Sequence, residues 1–545
     1  MKNLTFRNCG VPLLIVAFIF GSGCRAIPSQ GNPGPNPGGP VTQLTINGTT
    51  PANNVTGVSP YSSVTVTFNV DIDPDTLTTA NFITGGIVGS TTVSGNVLTF
   101  TPSNPFPLPD STAYVFKLLA GPSGVASRGG SHLAVDYEWT FTTQAPTDCA
   151  DPDTLCVDDT AGPQQEYSTI QSAVSAVSAG QTVLVNNGNY AGFSISKSGT
   201  PASRITIRAN GNAVVIDQNE PGGSGSSVLV SNASYVTIDG FVVERNGASG
   251  YGFAARNASA TNPMRGLVIS HNTIRNSGST NLYLSQVADS LIESNTTSGS
   301  LTSHGIYLAN GGSDDTILRG NRSFGNAKNG IHLNGDLSVG GDGMHQRIVI
   351  DGNIIYDNVA NGMDIDGMED SLVQNNLVYG NGRHSLRVFQ IDASAGAKNI
   401  RVINNTFVTG NSGWAVKFSE DGGGHVFFNN ILFSGSGSLG AICVGNTSFF
   451  SDRNAVTGRF SVNNESSVID LSQWQSLGHG NNSFTSTPGS LFTSVTTNDY
   501  SLLEGVPAID AGVGTYQGTL APTQDIVGTP RPQRAAIDMG AYEKP

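Results

Sequence analysis

Six short segments between residues 281 and 419 carry the side chains best suited to acid–base chemistry. They read Asn281-Leu-Tyr-Leu-Ser285, Gly305-Ile-Tyr-Leu-Ala309, Gly330-Ile-His-Leu-Asn334, Gly362-Met-Asp-Ile-Asp366, Ser385-Leu-Arg-Val-Phe389 and Ala415-Val-Lys-Phe-Ser419. In each, the second and fourth residues are apolar, so in a strand they share one face and the third and fifth share the other. One column of outward groups is therefore Tyr283, Tyr307, His332, Asp364, Arg387 and Lys417. Its neighbour is Ser285, Ala309, Asn334, Asp366, Phe389 and Ser419. If the strands stack at about 4.8 Å, successive members of a column lie within side-chain reach. Such a strip can transfer protons, bind a ligand, or simply pair opposite charges from rung to rung. The segments Asn334–Gln346 and Asp392–Asn399 lengthen two of the rungs and are expected to wall the strip. They add Asp336, Asp342, His345 and Asp392. Some of Asp336, Asp364, Asp366 and Asp392 are expected to hold Ca²⁺, because a hard cation takes several carboxylate oxygens.

The elements that position these groups repeat. Between about Arg204 and Asn430 the chain cycles through an aliphatic run, Asn, a second aliphatic run and a turn. The recurring Asn falls at 272, 295, 321, 353, 376, 405 and 430, with steps of 23, 26, 32, 23, 29 and 25 residues. A unit this small cannot bury its own apolar face, so neighbours must stack as a solenoid. The expected class is all-β: a right-handed parallel β-helix over 147–450, preceded by a small β-sandwich over 41–146. The sandwich rests on period-two alternation at Val64–Phe68, Val97–Phe100, Tyr114–Leu118 and Trp139–Phe141. A helix over Tyr167–Ala179, capped by Ser168, places Ile170, Ala173, Val174 and Val177 on one face and would plug the open end. Residues 451–545 lose the period and are expected to end the stack, with Asp510, Asp525, Arg531 and Asp538 as its internal partners.

The N-terminus reads as export. Lys2 and Arg7 precede ten apolar residues, Val11–Phe20, and then Gly21-Ser22-Gly23-Cys24. Ten residues are too few to span a bilayer. The Pro/Gly-rich stretch 25–40 is an extended tether. Cys149 and Cys156, seven apart, are read as a disulfide at the domain junction, and Cys443 as a buried thiol. With 68 glycines and only 12% charged residues, the composition suits turn-rich β-structure. A net charge of −14 argues against nucleic acid or an anionic membrane as partner. A monomer is expected.

Several stretches resemble known families. The small residues before Cys24 are similar to a bacterial lipoprotein signal, although Gly21 stands where that signal usually has Leu. The resemblance implies lipidation at Cys24 as the one membrane contact, and an outer-membrane or cell-surface location, with plain secretion as the alternative. VTVTFNVDIDPDTLTTANF, LTFTP and YEWTFTT resemble the bacterial Ig-like domain of surface-layer proteins. TIQSAVSAVSAGQTVLVNNGNYAG and the repeats after it resemble pectin-lyase-like β-helix proteins. WQSLGHGNNS, DYSLLEGVPAIDAG and DIVGTPRPQRAAIDMGAYE resemble the choice-of-anchor-like end of bacterial surface β-helix proteins.

The β-helix resemblance implies a polysaccharide partner and a lyase or C5-epimerase acting on uronic-acid-containing glycans. In that reading Lys417 or His332 is the base, Arg387 clamps the carboxylate, Tyr307 donates a proton and Asp364 and Asp366 hold the cation. Two other readings stay open. An adhesin would bind glycan through Tyr283, Asn334 and Phe389, with Tyr283, Tyr307 and Phe389 as stacking platforms. A glycoside hydrolase would use paired carboxylates. Asp364 and Asp366 share a rung, but Ser303-His304-Gly305, loosely like a polygalacturonase element, precedes them instead of following.

Overall fold

The computed structural model describes residues 43–545 except 59–61, 105–107, 110, 144–147, 161–164 and 446–447. The signal segment, Cys24 and the tether lie outside the described residues.

Residues 46–143 form two four-stranded sheets. One orders Ile46–Thr50, Val64–Phe68, Val97–Asn104 and Val88–Ser94; the other orders Val55–Val58, Tyr137–Thr143, Ala113–Leu118 and Phe82–Ile83. Alternate residues such as Val64, Val66, Phe68, Phe116, Trp139 and Phe141 fill the space between them. Asp73 caps the short helix Pro74–Thr76 at one turn of this domain. Cys149 and Cys156 are joined by a disulfide with Cα atoms 5.6 Å apart, and Cys443 is a buried free thiol.

From Thr154 the chain winds as a parallel solenoid with three strands per coil. Strands such as Val268–Ser270, Leu291–Glu293 and Ile317–Arg319 build sheet A. A sharp corner leads to sheet B, which includes Thr273–Arg275 and Thr296–Ser298. Sheet C holds eleven strands, among them Leu282–Ser285, Ile306–Ala309, Ile331–Asn334, Met363–Asp366, Leu386–Phe389 and Val416–Phe418.

The recurring Asn builds the corner between A and B. Each amide Nδ2 donates to the Oδ1 of the next, from Asn272 through Asn295, Asn321, Asn353, Asn376, Asn405 and Asn430 to Asn454, at 3.0–3.1 Å. The corner residue just before each Asn is left-handed, which is why Gly stands at 320 and 352 and Asn at 375, 404 and 429. Asn353 also accepts from the Asn321 backbone N–H and donates to the Leu318 carbonyl, fully buried. Asn353→Ala would strand these groups. A loss of about 3 kcal/mol of stability is expected, read as a lower urea midpoint.

Two expectations change. The helix is Ile170–Ala176 with Thr169 as its cap, not Ser168, because the Thr169 side chain reaches the Ser172 N–H. Ile170, Ala173, Val174 and Val177 still enter the core. The stack also continues beyond 450, through Phe449–Asp452, Ala455–Val456 and Phe484–Thr485. Trp474 from the helix Leu471–Ser476 then closes the core against Phe449 and Phe460. The last fifty or so residues fold back over the flank of sheets A and B. There Tyr500 meets Tyr379, and Val513 accepts from Asn429. Arg531 is buried against Glu543, while Asp525, Asp538 and Asp510 take backbone amides of the same segment. Among the described residues no helix is long and apolar enough to cross a membrane.

Candidate functional site

Sheet C pairs Tyr283 with Tyr307, Tyr307 with His332, His332 with Asp364, Asp364 with Arg387 and Arg387 with Lys417. The flanking residues Leu282, Ile306, Ile331, Met363, Leu386 and Val416 are wholly buried. Outward polar groups thus sit in register on a rigid core.

His332 is the centre of the strip. Its ring stacks on His304 at 4.4 Å and tilts against Tyr307 at 4.7 Å. Nδ1 lies 2.7 Å from the Asp364 carbonyl oxygen. A carbonyl only accepts, so Nδ1 carries the proton and Nε2 keeps its lone pair. The other two histidines at the corner before sheet C are wired the opposite way. His304 Nδ1 accepts from the Asn329 N–H, and His384 Nδ1 accepts from the Trp414 N–H at 2.9 Å, so each carries its proton on Nε2. Burial lowers all three, His304 to about 2 and His384 to about 4, and keeps them neutral.

Asp364 accepts from Asn329 and Asn361 and pairs with Arg387 at 3.3 Å. Burial raises its carboxyl, opposed by His332 and Arg387. Arg387 also lies 3.9 Å over the Phe389 ring. Burial, reinforced by Tyr283 and the carboxylates of Asp336 and Asp392, raises Tyr307 and holds its phenol proton.

Other candidate residues are arranged differently from the sequence expectation. Lys417 is bound to Glu465 at 2.8 Å, and Glu465 also accepts from the Trp414 indole at 2.6 Å. The four carboxylates expected to hold Ca²⁺ are not gathered. Asp366 is fully buried and accepts from the amides of Ile391, Asp392 and Ala393. Asp336 caps the turn at Ser338, and Asp392 faces Asn334 at 3.4 Å. Among the described residues no three His, Cys, Asp or Glu side chains converge as a metal site, so this donor set does not fit the ion. Asp366 being sealed, it forms no exposed carboxylate pair with Asp364 either. The ring faces meant for sugar stacking are partly occupied: Tyr283 lies between Tyr251 and Tyr307, and Phe389 lies under Arg387.

Sequence reasoning missed Asn329, Asn361, His384, Trp414 and Glu465 as members of this site. The first four occupy one corner column with His304, visible in the sequence as the residue two before each strand's first aliphatic. Glu465 comes from the aperiodic region and left no such signal.

Residues 40–143 match the family model described as bacterial Ig-like domain, and residues 303–457 match that of the right handed beta helix region. The solenoid is a right-handed parallel β-helix. No curated protein sequence matches the chain. Among solved structures, the crystal structure of the pectate lyase Pel9A is similar at 16% identity over 72% of this chain and 96% of that one, with a TM-score of 0.44. The complex of XylC with xylose aligns at 12% identity over 71% and 98%, with a TM-score of 0.44. The A-module of the Azotobacter vinelandii mannuronan C-5 epimerase AlgE4 aligns at 18% over 54% and 84%, with a TM-score of 0.33. None of these likenesses says what this chain acts on.

Proposed function

We propose that this β-helix acts on a polysaccharide containing uronic acid, using His332 to remove the proton next to the sugar carboxylate. The observation that carries this reading is the His332 tautomer: Nδ1 is held on the Asp364 carbonyl, which leaves a neutral, basic Nε2 at a strip that also offers a guanidinium and a protonated phenol.

The chemistry balances as follows. Nε2 takes the C5 proton, and the C–H electron pair moves into the carboxylate as an enolate. Arg387, one rung beyond Asp364, stabilises that charge. In elimination the pair then forms the C4–C5 double bond and expels O4, which takes its proton from Tyr307. In epimerisation a solvent-derived proton is delivered to C5 from the other face, and Nε2 afterwards releases to solvent the one it took. Lys417 is less suited than His332 as base, because Glu465 holds it as a paired ammonium. The charge is neutralised by Arg387, without a step through Ca²⁺.

Export, lipidation at Cys24 and a surface location belong to the same proposal, with the Ig-like domain as a spacer beyond the tether. The test is C5 proton exchange in deuterated buffer on a glycan panel, with ultraviolet absorbance of the unsaturated product in parallel. Deuterium at C5 without absorbance means epimerisation, and absorbance means elimination, because the C4–C5 double bond leaves no hydrogen on C5. Retention of a glycan with neither signal would replace this reading with a binding protein.

A further inference from the structure

The two edges of the strip carry opposite charge, and the pattern repeats every second coil. On the edge where the chain enters sheet C, the backbone hydrogen bonds align Ser303, Lys328, Ala360 and Arg383 in one column, each residue's N–H donating to the carbonyl of the one before. Lys328 and Arg383 are exposed. Each lies near the strip, since Lys328 helps to lower His304 and His332, and Arg383 helps to lower His384. The ion pairs formed among the described residues leave both without a carboxylate partner. On the opposite edge, where the chain leaves sheet C, Asp336 follows the His332 strand and Asp392 follows the Arg387 strand. These two loops are joined by the Leu337 N–H on the Asp392 carbonyl, and both carboxylates are felt by Tyr307. The coil between them carries Ala360 at the entry edge and Gly367-Met368 at the exit edge.

Two rungs separate Lys328 from Arg383, or roughly 10 Å, about the length of one disaccharide. In an extended glycan ribbon, successive sugars face opposite edges. A chain with an acid on every sugar would therefore push half of its carboxylates against Asp336 and Asp392. A chain with an acid on every second sugar would present all of them to Lys328 and Arg383, with its neutral sugars toward the acidic loops.

We infer that the strip selects a linear glycan in which uronic acid and neutral sugars alternate. This rests on the reading of sheet C as a polysaccharide site. It fixes the repeat that the substrate must have and makes Lys328 and Arg383 recognition residues.

The test is affinity electrophoresis of the full chain in gels containing hyaluronan, which alternates uronate with a neutral amino sugar, polygalacturonate, alginate, or a neutral glucan. Hyaluronan is expected to retain the protein at least about tenfold more strongly than either polyuronate. The Lys328→Ala/Arg383→Ala variant should lose about that factor on hyaluronan, and Lys328→Arg should keep it. Asp336→Asn/Asp392→Asn should gain retention on polygalacturonate. Stronger retention by a polyuronate or by the neutral glucan, or indifference to Lys328 and Arg383, overturns the inference. C5 exchange on a polyuronate would overturn it while leaving the proposed chemistry intact. Hyaluronan retention with no exchange would do the reverse, and no retention on any gel would overturn both.

Discussion

His332→Gln is expected to lower turnover by about a thousandfold, the middle of the range for removing a general base. Glutamine is the informative replacement because its amide N–H can still donate to the Asp364 carbonyl, which preserves the local hydrogen bond while removing the basic nitrogen. A fall in kcat with an unchanged KM and an unchanged urea midpoint would place the loss in the chemical step. The same substitution should erase the acidic limb of the pH–rate profile. That limb should lie below the ordinary histidine range in the native protein, since burial lowers His332. Tyr307→Phe separates the steps further: C5 exchange should survive it, while elimination should fall by about a hundredfold if the phenol serves the leaving oxygen. Lys417→Ala should cost far less than either, because its ammonium already answers Glu465. Wild-type turnover in His332→Gln would end the base assignment, and a Lys417→Ala variant as dead as His332→Gln would move the role to Lys417.

The outward columns were legible because two periodicities agree. The alternation of apolar residues within each strand says which side chains face out. The Gly or Asn at each corner says which strands share a register, so Tyr307, His332, Asp364, Arg387 and Lys417 can be aligned without coordinates. Asn272 to Asn430 were legible for the same reason, whereas Asn454 is hidden because SDRNAV lacks the aliphatic run before it. What a column cannot reveal is where each polar group points its hydrogen bonds. Asp366 looks like a free carboxylate in the alignment, yet the adjoining loop turns three amides onto it. The opposite tautomers of His304 and His332 are set by a backbone N–H in one case and a carbonyl in the other. Glu465 reaches Lys417 across 48 positions from a segment with no period. Local pattern carries no information about such a contact, which depends on how the closing loop folds over the last coils.

Acidification from about pH 6.5 to 4.5 is expected to lower the stability of the native fold steeply. Burial holds His304 at about 2 and His345 and His384 at about 4, against an ordinary value near 6.5 in the unfolded chain. Below pH 6.5 the unfolded chain therefore binds protons that the native state refuses. Stability then rises with pH across this window and is lost as pH falls. Each such histidine contributes about 1.4 kcal/mol per pH unit. Glu293 acts in the opposite sense: burial raises it to about 7, so the native state binds one extra proton between roughly 4.5 and 7. These three histidines against that one carboxylate give a slope on the order of 3 kcal/mol per pH unit; burial of His332 and His425 acts in the same sense, and burial of Asp314, Asp351 and Asp364 acts against it. The measurement is the urea midpoint at closely spaced pH values, for the wild type and for His345→Leu. That variant should shallow the slope by about a third to a half, because one of the three refused protons disappears. A midpoint that stays level or rises as pH falls through this window would mean that these buried histidines accept protons in place, and the neutral Nε2 assigned to His332 would lose its footing with them.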